Sequence, residues 1–350
     1  MTTVLTTREN RSHEIPRAAG AALTSLVLAG AATLAGCSAQ GSGTSGGGSD
    51  GVTVLASFYP LQYVAQQVGG DLVTVDNLTP PAAEPHDLEL SPVQVREIGT
   101  ADLVVYLSGF QAAVDEGVES RAPEHVVDAA DAAELVEHSG AEEGHEGETE
   151  AEHAEHADEH TDEDAGTEDD GHGHGAADPH FWLDPSRLAA VGQAVADELA
   201  EVDPEHADEY AAGALRLGEQ LDDLDQEMAD GLAACQGATL VTSHTAFGYL
   251  ADRYALEQVG ISELDPEAEP SPARLREIRD VVEANGVATL FSETLVSPRV
   301  TETLAADLGV RTAVLDPLEG LSEEATAAGE DYVSVMRANL AALEEGLVCA

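Results

Sequence analysis

The chain has 350 residues, with 68 Asp and Glu against 14 basic residues and a formal net charge of −54. So acidic a surface repels phosphate, which excludes nucleic acid as a partner. With 43% apolar and 4% aromatic residues it can bury one large or two medium cores, and its length predicts two domains of ~100 to 200 residues.

Arg8, Arg11 and Arg17 precede an apolar stretch over residues 18–35. A basic segment followed by a short run of apolar and small residues is the pattern of a secretory signal, here residues 1–36. The stretch ends in Leu34-Ala35-Gly36-Cys37, which resembles the lipobox of bacterial lipoproteins. That resemblance implies cleavage before Cys37 and a lipid on its thiol. Residues 38–50, dominated by Gly and Ser, read as a flexible tether with an r.m.s. span of roughly 20 Å. The expected product is an exported body held at the extracytoplasmic face of the cell membrane by its acyl anchor. Two further cysteines, Cys235 and Cys349, are expected to pair as a disulfide in that oxidising setting.

Short Val- and Leu-rich runs at 52–58, 72–78, 103–108 and 125–128 read as strands, and apolar residues at helical spacing predict helices at 59–68, 91–98 and 111–119. The same alternation returns with strands at 238–242, 256–261, 287–291 and 310–315, and helices at 246–254, 272–284, 299–308 and 325–343. Apolar strands alternating with helices predict parallel sheets covered on both faces, hence an α/β protein of two lobes. Between them Tyr210, Leu217, Leu221, Leu224 and Met228 recur at helical spacing after the Asp203-Pro204 start signal. This predicts one long rigid helix over 204–232, about 43 Å in length, joining a first lobe of 51–203 to a second of 234–350. Residues 138–177 fit neither lobe. They carry 15 acids, 7 of the 13 histidines, no Arg and almost nothing apolar larger than Ala, and are expected to form a disordered acidic, His-rich excursion.

Four metal-ligand residues stand where a strand ends, the place where α/β folds build sites. His86 lies in Glu84-Pro85-His86-Asp87, on a loop stiffened by Pro80, Pro81 and Pro85. His180 lies in Asp178-Pro179-His180-Phe181-Trp182, which contains the single Trp of the chain. His244 follows the strand at 238–242, and Asp316 ends the strand at 310–315. Glu293 is a strand-end acid that either steadies a ligand imidazole or caps the next helix, and it is not counted among the ligands. His125 and His206 have no partner legible in the sequence.

Taken together these strings, with Ala246-Phe247-Gly248-Tyr249 and Asp316-Pro317-Leu318, resemble the zinc- and manganese-type solute-binding lipoproteins of ABC importers. The resemblance covers nearly all of the chain from Val52 onwards. It implies a metal held between two lobes by His86 and His180 from the first and His244 and Asp316 from the second. It also implies a monomeric receptor delivering zinc to a permease with its cytoplasmic ATPase. Three imidazoles and one carboxylate suit tetrahedral zinc. His244, where manganese-type members resemble one another in having Glu, favours zinc over a manganese or iron receptor. The acidic, His-rich excursion is similar to loops of zinc-type members and is expected to hold divalent cations weakly. The competing classes are a secreted zinc hydrolase and a surface metal buffer or adhesin. No His-Glu-x-x-His string or Gly-x-Ser-x-Gly elbow supports a hydrolase, so the expectation is a protein that is not an enzyme.

Overall fold

The computed structural model describes residues 51–136 and 177–349. The predicted signal, Cys37, the tether and, apart from Ala177, the His-rich excursion lie outside the described residues. Among the described residues no helix is long and apolar enough to cross a membrane.

Two parallel four-stranded sheets form the frame. In the first, β1 (Val52–Ala56), β2 (Val73–Asn77), β3 (Leu103–Tyr106) and β4 (Val126–Asp128) are ordered β2-β1-β3-β4. In the second, β5 (Thr239–Thr242), β6 (Glu257–Gly260), β7 (Thr289–Ser292) and β8 (Arg311–Val314) repeat that order as β6-β5-β7-β8. Register is set by apolar pairs such as Val54 with Val75 and Val241 with Leu290. In both sheets the order reverses between the first and third strands. Loops leaving the strands at that point diverge and open a crevice at their carboxyl ends.

The first sheet is covered by α1 (Tyr59–Gly69), α2 (Pro92–Ile98), α3 (Ala112–Arg121), α4 (Ala129–Ala133) and α5 (Pro185–Val202). Helix α5 is not among the helices expected from the sequence, although its signals are legible there. Asp184 caps it by accepting from Ser186 N, Pro185 occupies the first turn, and Leu188, Val191, Val195 and Leu199 form one buried face. The long α6 (Ala207–Leu232) has 26 residues, about 39 Å, after a 3-10 turn over Pro204–His206. Its buried face, Tyr210, Gly213, Leu217, Leu221, Leu224, Met228 and Leu232, packs on α1 and α5. Gly213 is required there, because a Cβ at that position would stand 2.1 Å from the Val68 carbonyl oxygen.

The second sheet carries α7 (Gly248–Tyr254), α8 (Pro272–Asn285), α9 (Arg299–Leu308), α10 (Glu323–Ala328) and α11 (Tyr332–Gly346). One helix was expected over 325–343, and the structure divides it. Gly329 ends α10 in the left-handed conformation at φ 75°, and Asp331 with Ser334 forms a capping box that starts α11. Helix α11 also packs on α6, so the long helix touches both lobes. The main core runs without interruption from Val54, Leu61 and Trp182 through Leu224 and Met228 to Phe247, Leu315, Tyr332 and Met336. Cys235, just past α6, is bonded to Cys349 across a separation of 114 residues, which fastens the C-terminal tail to the start of the second lobe.

Candidate metal centre

The loops that leave the two sheets converge on one buried cluster. The loop after β2 brings His86. Its shape is held by Gln111, whose amide donates to the Pro85 carbonyl at 3.2 Å and to Thr79 Oγ1 at 3.0 Å, and by Glu84, which accepts from His86 N at 3.0 Å. His180 stands before a 3-10 turn, Phe181–Leu183, whose three side chains are fully buried. Burial of that Phe-Trp-Leu segment draws His180 inward with it. His244 follows β5, and Glu319 lies on the loop after β8.

The donor atoms of His86, His180, His244 and Glu319 all lie within 4.8 Å of one another. Glu319 Oε1 is 3.3 Å from His86 Nε2, 3.1 Å from His180 Nε2 and 3.4 Å from His244 Nε2. The two buried imidazoles approach each other at 3.4 Å between their Nε2 atoms. A tetrahedron with bonds of 2.0–2.1 Å has edges of about 3.4 Å, which these four separations approach. The side chains of His180, His244 and Glu319 are at most 1% exposed, whereas His86 is 16% exposed, so the centre meets solvent on the His86 side.

Asp316 does not belong to this group, although the sequence reading had placed it there. Its Oδ1 accepts from Leu318 N at 2.8 Å and its Oδ2 from Thr294 Oγ1 at 3.0 Å, so both oxygens are engaged within the second lobe. The Asn339 side chain brackets its main chain, accepting from Asp316 N at 2.8 Å and donating to its carbonyl at 2.7 Å. Asp316 therefore shapes the turn, and the carboxylate that reaches the histidines belongs to Glu319, three residues on. Only the short spacing Asp316-Pro317-Leu318-Glu319 hinted at this second acid.

Two further carboxylates back the buried imidazoles. Asp178 Oδ1 accepts from His180 N at 2.9 Å and lies 2.7 Å from His180 Nδ1. Glu293 Oε1 lies 2.7 Å from His244 Nδ1, and accepts from Ser243 Oγ and His244 N. When such a ring gives up one proton, a carboxylate beside Nδ1 favours keeping the other there, which frees the Nε2 lone pair for a cation. Glu293 thus stands beside the ligand-type imidazole and caps no helix, since α9 begins only at Arg299. His125 pairs with Glu198 at 2.7 Å and His206 with Asp203 at 2.6 Å, both away from the cluster.

The electrostatics follow from burying these charges together. Burial alone would depress both His180 and His244, but carboxylates override it. His180 is raised by Asp178 and Glu319, and His244 is pushed up to about 10 by Glu293 and Glu319. Burial would raise Glu319, yet hydrogen bonds from His180, His244 and His86 hold it well below the usual carboxylate range. Glu84, 4.0 Å from His86 Nε2, is pushed up to about 8 by burial and by the charge of Glu319. His180 and His244 therefore hold protons that an entering cation must displace.

A two-lobed α/β frame thus carries at the lobe junction a buried cluster of three histidines and one glutamate, a donor set able to hold a metal ion. Residues 54–346 match the family of the periplasmic zinc-uptake complex component A, ZnuA, and the chain belongs to that family. It is 36% identical over 296 residues to the zinc-binding lipoprotein AdcA of Streptococcus pneumoniae, covering 84% of this chain and 55% of that protein. This chain thus spans about half the length of the AdcA proteins it matches. It is 35% identical over 314 residues to the high-affinity zinc uptake system protein ZnuA of Bacillus subtilis, covering 89% of this chain and 92% of that one. The crystal structure of Zn(II)-bound AdcA from S. pneumoniae superposes with a TM-score of 0.67 at 32% identity, over 85% of this chain and 57% of that one.

Proposed function

We propose that the protein is an extracytoplasmic receptor that binds Zn2+ with high affinity and delivers it to an ABC importer, a permease with its cytoplasmic ATPase. The observation that carries this reading is the convergence, from both lobes, of three imidazole nitrogens and one carboxylate oxygen within 4.8 Å of one another, with the carboxylate 3.1–3.4 Å from each imidazole. His86, His180, His244 and Glu319 are the residues assigned to hold the ion, which is cargo. Four protein donors complete a tetrahedral shell and leave no open position for an activated water, which favours a receptor over a hydrolase. Three nitrogen donors suit zinc better than manganese, which prefers carboxylate, carbonyl and water oxygens. The names of the S. pneumoniae and B. subtilis relatives agree with this choice.

Residues 1–36 are assigned to a lipoprotein signal, Cys37 to the lipid anchor and residues 38–50 to the tether. The remainder is assigned to a first lobe of 51–203, a linker helix of 204–233 and a second lobe of 234–350, a division supported by the two separate sheets on either side of α6. The acidic, His-rich stretch 138–177 is assigned to weak collection of divalent cations. The reading supposes a monomer held at the cell membrane.

Metal analysis of protein purified without chelators, followed by competition between zinc and manganese, tests the cargo. Zinc bound at one equivalent with high affinity, resistant to excess manganese, is expected, and preferential retention of manganese overturns the assignment. Cys37→Ala protein that still fractionates with membranes after a salt wash refutes the anchor.

A further inference from the structure

Glu319 reaches the histidines on a five-residue loop, 317–321, and both ends of that loop receive hydrogen bonds from the first lobe. The Pro317 carbonyl accepts from Trp182 Nε1 at 2.7 Å, and the Leu321 carbonyl accepts from Ala82 N at 3.2 Å. Between these two bonds Leu318 is held left-handed at φ 58°, a conformation that side-chain-bearing residues avoid. The Asp316 carboxylate stabilises it by accepting from Leu318 N. The turn so formed points Glu319 back toward the first lobe.

Trp182 is itself firmly placed. It is fully buried against Phe58, with ring centroids 4.9 Å apart, and its carbonyl accepts from the Tyr332 hydroxyl at 2.5 Å. It also sits two residues from His180, with ring centroids 5.2 Å apart. One side chain thus adjoins a histidine of the centre and grips the loop that carries its carboxylate. Pro317 is buried and has no N–H of its own, so a main-chain donor bond cannot pin the loop at that residue. Removing the indole N–H would leave a buried carbonyl without its donor, and the loop would move to satisfy it.

We propose that Trp182 is a positioning residue for the metal carboxylate, its indole N–H setting the place of Glu319 across the lobe junction through the Pro317 carbonyl. This deepens the zinc-receptor reading and rests on it. By linkage, metal that fixes Glu319 also tightens the indole hydrogen bond, and loss of that bond weakens metal binding through Glu319 alone.

The chain has a single Trp, so its indole N–H gives one resonance in the spectrum of the whole mature protein. Hydrogen exchange at that proton is expected to slow on adding zinc in the wild type and to stay unchanged in Glu319→Ala. Zinc affinities by chelator competition are then compared in wild type, Trp182→Phe, Glu319→Ala and the double variant. Trp182→Phe is expected to weaken zinc about tenfold, the lower end of the range for residues that orient ligands. No further loss is expected when Glu319 is already Ala, because the two act as one unit. Replacing Trp182 by benzothienylalanine, with sulfur in place of the N–H at nearly equal volume, should reproduce that loss without opening a cavity. Full affinity in the benzothienylalanine protein, or equal losses with and without Glu319, overturns the proposal and leaves Trp182 a core residue only. A wild-type chain that binds no zinc overturns the zinc reading and this inference with it, so the two failures are distinguishable.

Discussion

Zinc capture should be strongly coupled to proton release, and the raised histidines determine its sign and size. In the metal-free fold His244 is raised from 6.5 to about 10 and His180 is raised as well, so below about pH 10 the His244 imidazole carries a proton that zinc must displace. From about 10 down to pH 7 is ~3 units, worth ~4 kcal/mol at about 1.4 kcal/mol per unit, or roughly a thousandfold in apparent affinity. Affinity therefore falls as pH falls, by about tenfold per unit for the His244 proton and more steeply if His180 releases one too. The metal-free fold responds with the opposite sign. Raised histidines stabilise it fully below pH 6.5, and that contribution is lost as pH rises through about 10. Glu319, held low, contributes above about pH 4.5, and its contribution is lost as pH falls further. Glu293→Gln, which removes a carboxylate 2.7 Å from His244 Nδ1, should lower the His244 pKa and flatten the slope of affinity against pH. Zinc calorimetry in buffers of different ionisation enthalpy counts the protons. At least one per zinc is expected between pH 7 and 8 in the wild type, with fewer in Glu293→Gln. A binding enthalpy independent of buffer in the wild type would refute the assignment of protonated imidazoles facing the ion.

Glu319→Ala should weaken zinc by orders of magnitude, with Asp316→Asn the milder change because it perturbs only the turn; chelator competition giving the reverse order would restore Asp316 as the ligand. Asp178→Asn should cost about 10- to 100-fold in zinc affinity by releasing the His180 ring, measured by the same competition. Reducing the Cys235–Cys349 bond frees a loop with a sequence separation of 114, so chain entropy predicts a loss of up to ~5 kcal/mol, read as a lower denaturant midpoint in Cys349→Ser. Leu221→Ala, on the buried face of α6, should destabilise by about 2–5 kcal/mol while leaving zinc affinity of the folded fraction unchanged.

The strands and most helices were legible because burial on both faces demands continuous Val and Leu runs, and helices packed on them demand apolar residues three and four apart. Helix α5 carried the same signal in Leu188, Val191, Val195 and Leu199. Its start is masked by the two Asp-Pro turns around His180, the second of which supplies the helix cap Asp184 and the first-turn Pro185. The break between α10 and α11 turns on Gly329 and the Asp331 cap, a local signal that the helical spacing on either side concealed.

For the centre, local sequence was enough to single out His86, His180 and His244, since each lies in a stiff loop at a strand end, and the structure brings these three together. The choice between Asp316 and Glu319 was not local. Both acids follow β8 within five residues, and which of them faces the histidines depends on the left-handed turn at Leu318. That turn is held by Trp182 and Ala82 from the other lobe and by Asn339 from α11, through hydrogen bonds that span up to 239 positions of the chain. Residue types at short spacing decide which groups are able to bind an ion. Only the packing of one lobe against the other decides which carboxylate is turned inward, because the hydrogen bonds that hold the turn come from segments the sequence keeps far apart.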